Sequence, residues 1–378
     1  MAFGPARVGF GLFLPQFREA FSISTQTAGV ISSLGFAAFF VGLICSYKLI
    51  ALRGPRRATV IGMIAATAGL TTVAVAQSVI VLAIGIFLAS ASAGFSWTPF
   101  NLAVRRLLYE GDRPRALSVI SSGTAVGVII AGALALSLAI FGFSWRVVWA
   151  VFAASAAVVA IGNLVALKDT AEPAGEAPPR RWCALATRSA IPLYLVALLF
   201  GATNGVYVTF AADRVADQGG LTGLPLQANG AVVFIAYGAL GLVGLLTARI
   251  KRAIGLTWLL RILAYGAALS FALIAWFPSS WGAVIFSAGS QGAFVMMISA
   301  VLSFWSEELF PDLPSLSFTA ALLITGVGNI VGPVLAGVAS SAFGSKPMFV
   351  GAAAVALATA FLLKPDSIRE KASTIGSS

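Results

Sequence analysis

The sequence has no histidine and only two cysteines, Cys45 and Cys183. Histidine is the commonest general base and the commonest metal ligand in proteins, and a disulfide framework or a thiolate metal site needs more cysteines at regular spacing. These absences argue against zinc chemistry and against Ser–His or Cys–His nucleophilic pairs. We therefore expect no metal site, no cofactor and no catalytic centre.

Charged side chains are also scarce. They make up 10% of the chain, whereas 59% of the residues are hydrophobic, and the mean hydropathy is +0.96. Soluble domains carry roughly 25% charged residues, so a water-soluble globule is excluded. The structural unit to look for is instead the membrane-spanning helix of about 20 apolar residues.

Apolar runs that end at Gly, Pro or charged clusters predict twelve helices. The first six are predicted at 2–17, 26–52, 58–77, 78–108, 117–138 and 141–167. The second six are predicted at 190–213, 228–249, 256–276, 280–306, 315–339 and 343–363. The first span is the shortest, because only about sixteen residues precede Arg18 where a straight crossing needs ~20; an upstream start of the natural chain would explain this.

A polar stretch, KDTAEPAGEAPPRR, separates the two sets of helices and is typical of a solvated linker. The expected organisation is a six-helix bundle (1–167), a cytoplasmic linker (168–188), a second six-helix bundle (189–364) and a short tail (365–378). The predicted fold class is an all-α membrane protein of two pseudo-symmetric six-helix bundles.

The basic residues are unevenly distributed over the predicted loops. With a cytoplasmic amino terminus, eighteen of the 24 Lys and Arg residues fall on the cytoplasmic side, four fall outside, and Arg7 and Arg261 lie within spans. This distribution obeys the positive-inside rule and accounts for the net charge of +11 without a nucleic acid partner. Together with an Ala-rich, Arg-over-Lys composition, it predicts a monomer in a bacterial inner membrane with both termini in the cytoplasm.

Two features indicate that the halves are copies of each other. The spacing of Gly123, Gly127 and Gly132 in the fifth span recurs in Gly328, Gly332 and Gly337 of the eleventh. An Asp-x-Pro sequence precedes each of these spans, at Asp112–Pro114 and Asp312–Pro314. The glycines and the Asp-x-Pro sequences align the two halves at offsets that differ by five residues, so an insertion is needed if both are real. Small residues four apart let helices approach closely in lipid, so these glycines are predicted to form packing seams along which the halves rock.

This plan, with a basic linker at the middle and glycine-rich fifth and eleventh spans, resembles the major facilitator superfamily of secondary transporters. The loop between spans two and three in that family reads Gly-x-x-x-Asp-Arg-x-Gly-Arg-Arg, and Gly54, Arg56 and Arg57 match it without the aspartate. The span-four arginine of many proton-driven antiporters would fall near Ile86, and their Gly-x-x-x-Gly-Pro element stands at Gly328–Pro333 in span eleven instead of span five. These departures weigh against a proton-driven drug exporter.

Arg7 is the notable ionisable residue at membrane depth, where a charge costs ~3 kcal/mol or more. It lies about ten residues of ~1.5 Å from the outer end of span one, close to the midplane. The resemblance implies that spans one, four, seven and ten line a central cavity, which favours an inward-facing Arg7. The alternative is that the helix start is misassigned and Arg7 lies at the cytoplasmic interface.

Other polar and aromatic residues on these spans complete the predicted substrate site. It comprises Arg7, Trp97, Asn101, Arg105, Asn204, Tyr207, Gln291 and Phe294. Simple alternatives are a positive-inside anchor for Arg105 and helix-to-helix hydrogen bonds for the two amides of spans seven and ten. No carboxylate lies mid-span, and Asp213 and Asp217 are expected at the outer end of span seven, so the usual proton carriers are lacking.

The predicted function is secondary active transport of a small organic anion by alternating access. An exporter of drugs or metabolites is the alternative within transport, and a non-transporting membrane sensor is the alternative from another class. A membrane-embedded enzyme would need a convergent nucleophile, base or metal site, and the sequence shows none. Residues predicted to act in gating or helix packing are Gly54, Arg56, Arg57, Gly123, Gly127, Gly132, Gly328, Gly332, Pro333 and Gly337.

Overall fold

A computed structural model describes residues 3–107, 109, 113–166 and 182–363, without the side chains of 3, 96–107, 113–121, 165–166, 182 and 314–315. This part of the chain is built from helices joined by short turns. The helices are α1 (Phe3–Leu12), α2 (Leu14–Phe21), α3 (Thr25–Arg53), α4 (Pro55–Ala74), α5 (Val79–Leu107), α6 (Arg113–Ile140), α7 (Trp145–Ala166), α8 (Ile191–Asp217), α9 (Asn229–Gly241), α10 (Thr247–Trp276), α11 (Trp281–Leu309), α12 (Pro314–Phe343) and α13 (Ser345–Leu362).

These helices form the twelve predicted spans in the described chain. The first span is α1 followed by α2, and the eighth is α9, a 3₁₀ segment (Leu242–Leu246) and the first turns of α10. Gly255, at φ 81° and ψ 164°, interrupts α10, and the ninth span follows this kink. The remaining spans are one helix each, so the predicted number of helices is confirmed.

The first span differs from its prediction in two respects. It breaks at Phe13, whose backbone leaves the helical region (φ −108°, ψ 10°), and it continues beyond residue 17 to Phe21. Pro15 stands in the first turn of α2, where its missing N–H costs nothing, whereas in a helix interior it would remove a hydrogen bond and favour a kink. The break therefore places Pro15 where it is tolerated best.

Two glycines mark the same connection in each half of the molecule. Gly54 joins α3 to α4 at φ 81° and ψ 164°, and Gly255 joins the eighth to the ninth span with the same angles. An L-residue with a side chain rarely adopts this conformation. Gly255 is thus the second copy of the Gly54 turn, but it lacks the basic pair that made the first copy recognisable in the sequence.

The N-half (α1–α7) and the C-half (α8–α13) meet along several helix pairs. Helix α3 packs on α12, α6 packs on α9, and α1 packs on both α8 and α9. We call the end of the molecule that carries Arg53, Ala166 and Arg188 the linker end, and the opposite end, with Phe21 and Asp217, the far end.

Most of the predicted seam glycines lie where helices approach closely. An added Cβ at Gly132 of α6 would lie 2.8 Å from Ile235 of α9, and an added Cβ at Gly4 of α1 would lie 2.5 Å from the carbonyl carbon of Gly127. In α12, Gly328 and Gly332 lie directly against the carbonyl oxygens of Leu198 and Ala202 of α8. Gly337 faces the start of α3, and Pro333 lies over Gly205 while its carbonyl faces Gly29.

Gly123 is the exception among these glycines. An added Cβ at this position would meet no described atom within 4 Å. The tight contact expected there is not formed, because the neighbouring Ser122, Thr124 and Ala125 border the cavity described below. Gly123 therefore lies where α6 turns away from its partners.

Candidate substrate-binding cavity

A cavity of about 960 Å³ separates the two halves. Its described wall comes from α1, α3, α5 and α6 of the N-half and from α8, α9, the 3₁₀ segment, α10, α11 and α12 of the C-half. Leu245, Ala248 and Glu307 border it at the linker end, and all three are exposed. Among the residues whose side chains are described, the cavity is therefore open at the linker end.

The far end is closed by an ion pair between the halves. Arg18 of α2 places Nη1 2.6 Å from Oδ2 of Asp213 and 3.5 Å from Oδ2 of Asp217, both on α8. Asp213 is only 5% exposed. The sequence placed Asp213 at a helix end but did not reveal its burial, because burial here depends on α2 crossing over α8.

Two further contacts between the halves support this closure. Gln16 donates its Nε2 hydrogen to the carbonyl of Gln227 (2.8 Å), and the hydroxyls of Ser32 and Thr209 share a hydrogen bond of 2.6 Å. Gly11 also lies directly against the carbonyl of Val208, an approach that a side chain would prevent. The molecule is thus closed at the far end and open at the linker end.

Arg7 lies on the cavity wall, as the inward-facing interpretation predicted. Its half-buried side chain projects from α1 between the close contacts made by Gly4 and Gly11. Within the described part of the chain, it forms no hydrogen bond or ion pair, although it lies within electrostatic range of Tyr237. An unpaired guanidinium at this depth is available to an anionic ligand.

The wall around Arg7 combines phenyl rings with hydroxyl and amide groups. The rings are Phe10, Phe36, Phe39, Phe40, Phe200, Phe304 and Phe318, and the polar groups include Ser32, Ser90, Thr124, Ser299, Ser303, Thr325 and Asn329. Most of these residues escaped the sequence prediction, which named only spans one, four, seven and ten. The spacing of Phe36, Phe39 and Phe40 along one face of a helix was the signal that could have identified the α3 wall.

The structure does not place Asn204, Tyr207, Gln291 and Phe294 on the described wall of the cavity. The Tyr207 hydroxyl hydrogen-bonds to Ser287 (2.9 Å), and the Phe294 ring packs edge-on against Phe200 with centroids 4.9 Å apart. All four side chains are buried within the C-half, where neither amide atom of Gln291 has a partner. Their contact with substrate stays a prediction, and in this structure α8 and α11 turn these faces toward each other.

Asn204 is connected to the cavity indirectly. Its Nδ2 donates to Oδ1 of Asn329 (2.7 Å), and Asn329 borders the cavity from α12. Asn204 therefore makes a hydrogen bond between two helices, which was the simple alternative to substrate contact for this amide. Asn329 is the amide that reaches the wall, and sequence reasoning missed it because it lies within a glycine-rich seam.

The α5 candidates Trp97, Asn101 and Arg105 lie outside the residues whose side chains are described. Earlier on the same helix, Ile86, Ser90 and Ala93 border the cavity. Span four thus lines the cavity, as the resemblance implied.

The basic loop residues lie away from the cavity wall. Gly54 ends α3, Arg57 is exposed, and Arg56 is half-buried with its Nε lacking a hydrogen-bond partner. The C-half has an ion pair near its matching turn, between Nζ of Lys251 and Oε1 of Glu308 (2.8 Å).

Two helical bundles around a central cavity are typical of secondary transporters. The match to the family model "Major Facilitator Superfamily" extends over residues 1–309. The chain belongs to the major facilitator superfamily, as its loop and glycine motifs had indicated. No curated protein sequence matches it.

Solved transporters share this fold at low sequence identity. A mutant of the nucleoside transporter NupG superposes with a TM-score of 0.77 at 15% identity, covering 96% of each chain. A bacterial homologue of the human lysosomal transporter Spinster, inward-facing and occupied, gives a TM-score of 0.72 at 17% identity over 98% of this chain and 96% of its own. A POT family transporter in complex with 5-aminolevulinic acid gives 0.78 at 14% identity over 97% and 95%.

Proposed function

We propose that the chain is a secondary active transporter that moves a small organic anion across a bacterial inner membrane by alternating access. It acts as a monomer with both termini in the cytoplasm, so the linker end faces the cytoplasm and the structure corresponds to the inward-open state. It is a carrier and not an enzyme, and its partners are the solute and the lipid bilayer.

The position of Arg7 carries this proposal. A guanidinium at membrane depth is costly unless it is paired or hydrated, and no described residue pairs with Arg7. The other charged residue on the described wall, Glu307, lies two residues from the end of α11 at the mouth of the cavity. A carboxylate that enters from the linker end would meet Arg7 in the deep part of the cavity and form charge-assisted, bidentate hydrogen bonds with it.

The phenyl rings on the wall favour a second candidate, an exporter of amphipathic drugs. Seven phenylalanines border the cavity, which suits apolar ligands of several shapes. Such an exporter of hydrophobic cations would gain nothing from Arg7, which would repel its substrates. The charge of the ligand therefore separates the two functions.

The test is transport by the purified protein in sealed vesicles. We expect uptake of labelled organic anions by counterflow, and a roughly ten- to hundredfold loss of affinity in Arg7→Gln, since a hydrogen bond to a charged group contributes about 1.5–3 kcal/mol. Arg7→Lys should retain part of the affinity. Arg252→Gln, which removes an exposed basic residue at the linker end, is the matched control. Unchanged affinity in Arg7→Gln, or transport of cations only, would overturn the proposal.

A further inference from the structure

Three phenylalanines of α3 face the cavity and have no aromatic partner among the residues whose side chains are described. Phe36, Phe39 and Phe40 are half-buried and lie on the cavity wall. Among the described residues, none of the three rings contacts another aromatic ring. The rings of the N-half interior are paired, as in Phe17–Trp145 (5.0 Å between centroids) and Phe13–Trp149 (5.7 Å).

The packing of α3 explains why these rings face the cavity. Helix α3 approaches α5 through Gly35, where an added Cβ would lie 3.0 Å from Ser90, and through Gly42, which faces Ala91. Phe36, Phe39 and Phe40 occupy the adjoining sector of α3, because each residue advances about 100° around a helix. The close approach to α5 therefore directs this sector toward the cavity.

One of the three rings also reaches the C-half. The Phe40 ring lies over Gly326 of α12, with its Cδ2 2.9 Å from the position that a Cβ would occupy. The phenyl surface thus extends from α3 to α12 across the boundary between the halves. A ligand that contacts it touches both halves at once, as an alternating-access substrate must.

The Arg7 guanidinium and the phenyl rings of α3 border the same cavity. Phe10 lies one turn beyond Arg7 on α1, and both residues border the cavity together with the three α3 rings. Aromatic pairs prefer centroid separations of about 4.5–7 Å and contribute beyond the area they bury. A ring held against α3 would satisfy this preference while its charged group binds Arg7.

We propose that the substrate is a monoanion with an aromatic body, such as an aryl carboxylate. The inference rests on the proposed function, since it assigns the charged group of the same substrate to Arg7. A polyhydroxylated anion could use the hydroxyl and amide groups elsewhere on the wall, but its hydroxyl groups that face the α3 rings would lack hydrogen bonds, and this desolvation is unfavourable. Phe36, Phe39 and Phe40 are then the residues that determine specificity for the substrate body.

The test compares four probes on the detergent-purified full-length protein. Benzoate carries the charge and the ring, cyclohexanecarboxylate carries the charge and an aliphatic ring, benzamide carries only the aromatic ring, and gluconate carries the charge on a hydrophilic chain. Dissociation constants follow from the concentration dependence of thermal stabilisation. We expect benzoate to bind most tightly and benzamide and gluconate most weakly.

Phenylalanine-to-leucine variants identify the residues responsible while preserving apolar side chains. In Phe36→Leu and Phe39→Leu, benzoate affinity should fall by about threefold to tenfold each, the value of one aromatic contact. Cyclohexanecarboxylate affinity should remain within about twofold, because an aliphatic ring gains no ring–ring term. Phe141→Leu and Phe343→Leu, at exposed positions near the far end, are the controls and should leave both affinities unchanged.

The outcomes also separate this inference from the proposed function. Tighter binding of gluconate than of benzoate would overturn the aromatic inference while leaving anion transport intact. Equal loss of benzoate and cyclohexanecarboxylate affinity in Phe36→Leu and Phe39→Leu would likewise overturn it. Equal binding of benzamide and benzoate would overturn both, because the charge would then contribute nothing.

Discussion

At the scale of single residues, glycines allow the backbone contacts that place Arg7. Gly4 and Gly11 bring α1 against α6 and α8, and Arg7 emerges between these two contacts. At Gly11, the carbonyl of Val208 occupies the space of a side chain. The deep position of the guanidinium therefore depends on the absence of two Cβ atoms.

Gly11→Ala should destabilise the far-end closed form by about 1–3 kcal/mol, the usual range for overpacking at a tight contact. We expect a lower Tm in thermal unfolding of the purified protein. Gly266→Ala is the matched control, since an added Cβ there meets no described atom within 4 Å and alanine is the better helix former. Equal Tm values for the two variants would contradict the role assigned to Gly11.

The Asn204–Asn329 hydrogen bond is a second residue-scale feature open to test. Asn329→Leu removes the acceptor of the Asn204 Nδ2 hydrogen and should cost about 1–3 kcal/mol, because a buried donor is left unpaired. Adding Asn204→Leu should recover part of that loss, since both polar partners are then absent. A double-mutant cycle of unfolding free energies measures this coupling; additive losses would show that the bond contributes nothing.

At the scale of helices, α2 and α8 hold the far end shut. Arg18 joins α2 to Asp213 and Asp217 across the halves, whereas Arg146 bonds to the carbonyl of Ala76 within the N-half (2.8 Å). Opening of the far end must separate α2 from α8 and break the first contact. The second contact lies within one rigid bundle and is not required to change.

Arg18→Ala should therefore shift the population toward far-end opening, because it removes the cation that pairs with the buried Asp213 between the halves. Spin labels can be attached at Glu19→Cys and Thr222→Cys, two exposed far-end positions. The distance between the two labels, measured by pulsed electron paramagnetic resonance, should lengthen in this variant. Cys45 and Cys183 are exposed and are first replaced by Ser. Arg146→Ala should leave the distances unchanged, and the same lengthening in both variants would refute the gating role of Arg18.

At the scale of the whole molecule, the two halves and the charge distribution define a direction across the membrane. Connections at the linker end carry most of the basic residues, and the cavity opens at that end. Alternating access then requires the halves to rock about the α3–α12 and α6–α9 contacts, where glycines keep the surfaces smooth.

The orientation predicts on which side of the membrane Cys183, an exposed residue within the linker, is accessible. In a Cys45→Ser background, a membrane-impermeant thiol reagent should label Cys183 in inside-out vesicles and not in right-side-out vesicles. A cysteine introduced at Ser144, an exposed far-end position, should show the opposite pattern once Cys183 is also replaced by Ser. Labelling of both positions from the same side would contradict the positive-inside assignment.

The number and order of the spans follow from the sequence alone, because each helix in lipid satisfies its own backbone and needs a local run of apolar residues. The Gly54 turn follows for the same reason, because it depends on a few neighbouring residues, whereas the sequence left open whether Arg7 lies at the midplane or at the cytoplasmic interface. Other features depend on which helices meet: the burial of Asp213 under α2, the exposure of the α3 rings, and the enclosure of Asn204, Tyr207 and Gln291 within the C-half. Only the tertiary structure decides these features, because the helices packed against each face, which are distant in the sequence, determine whether that face is buried or lines the cavity.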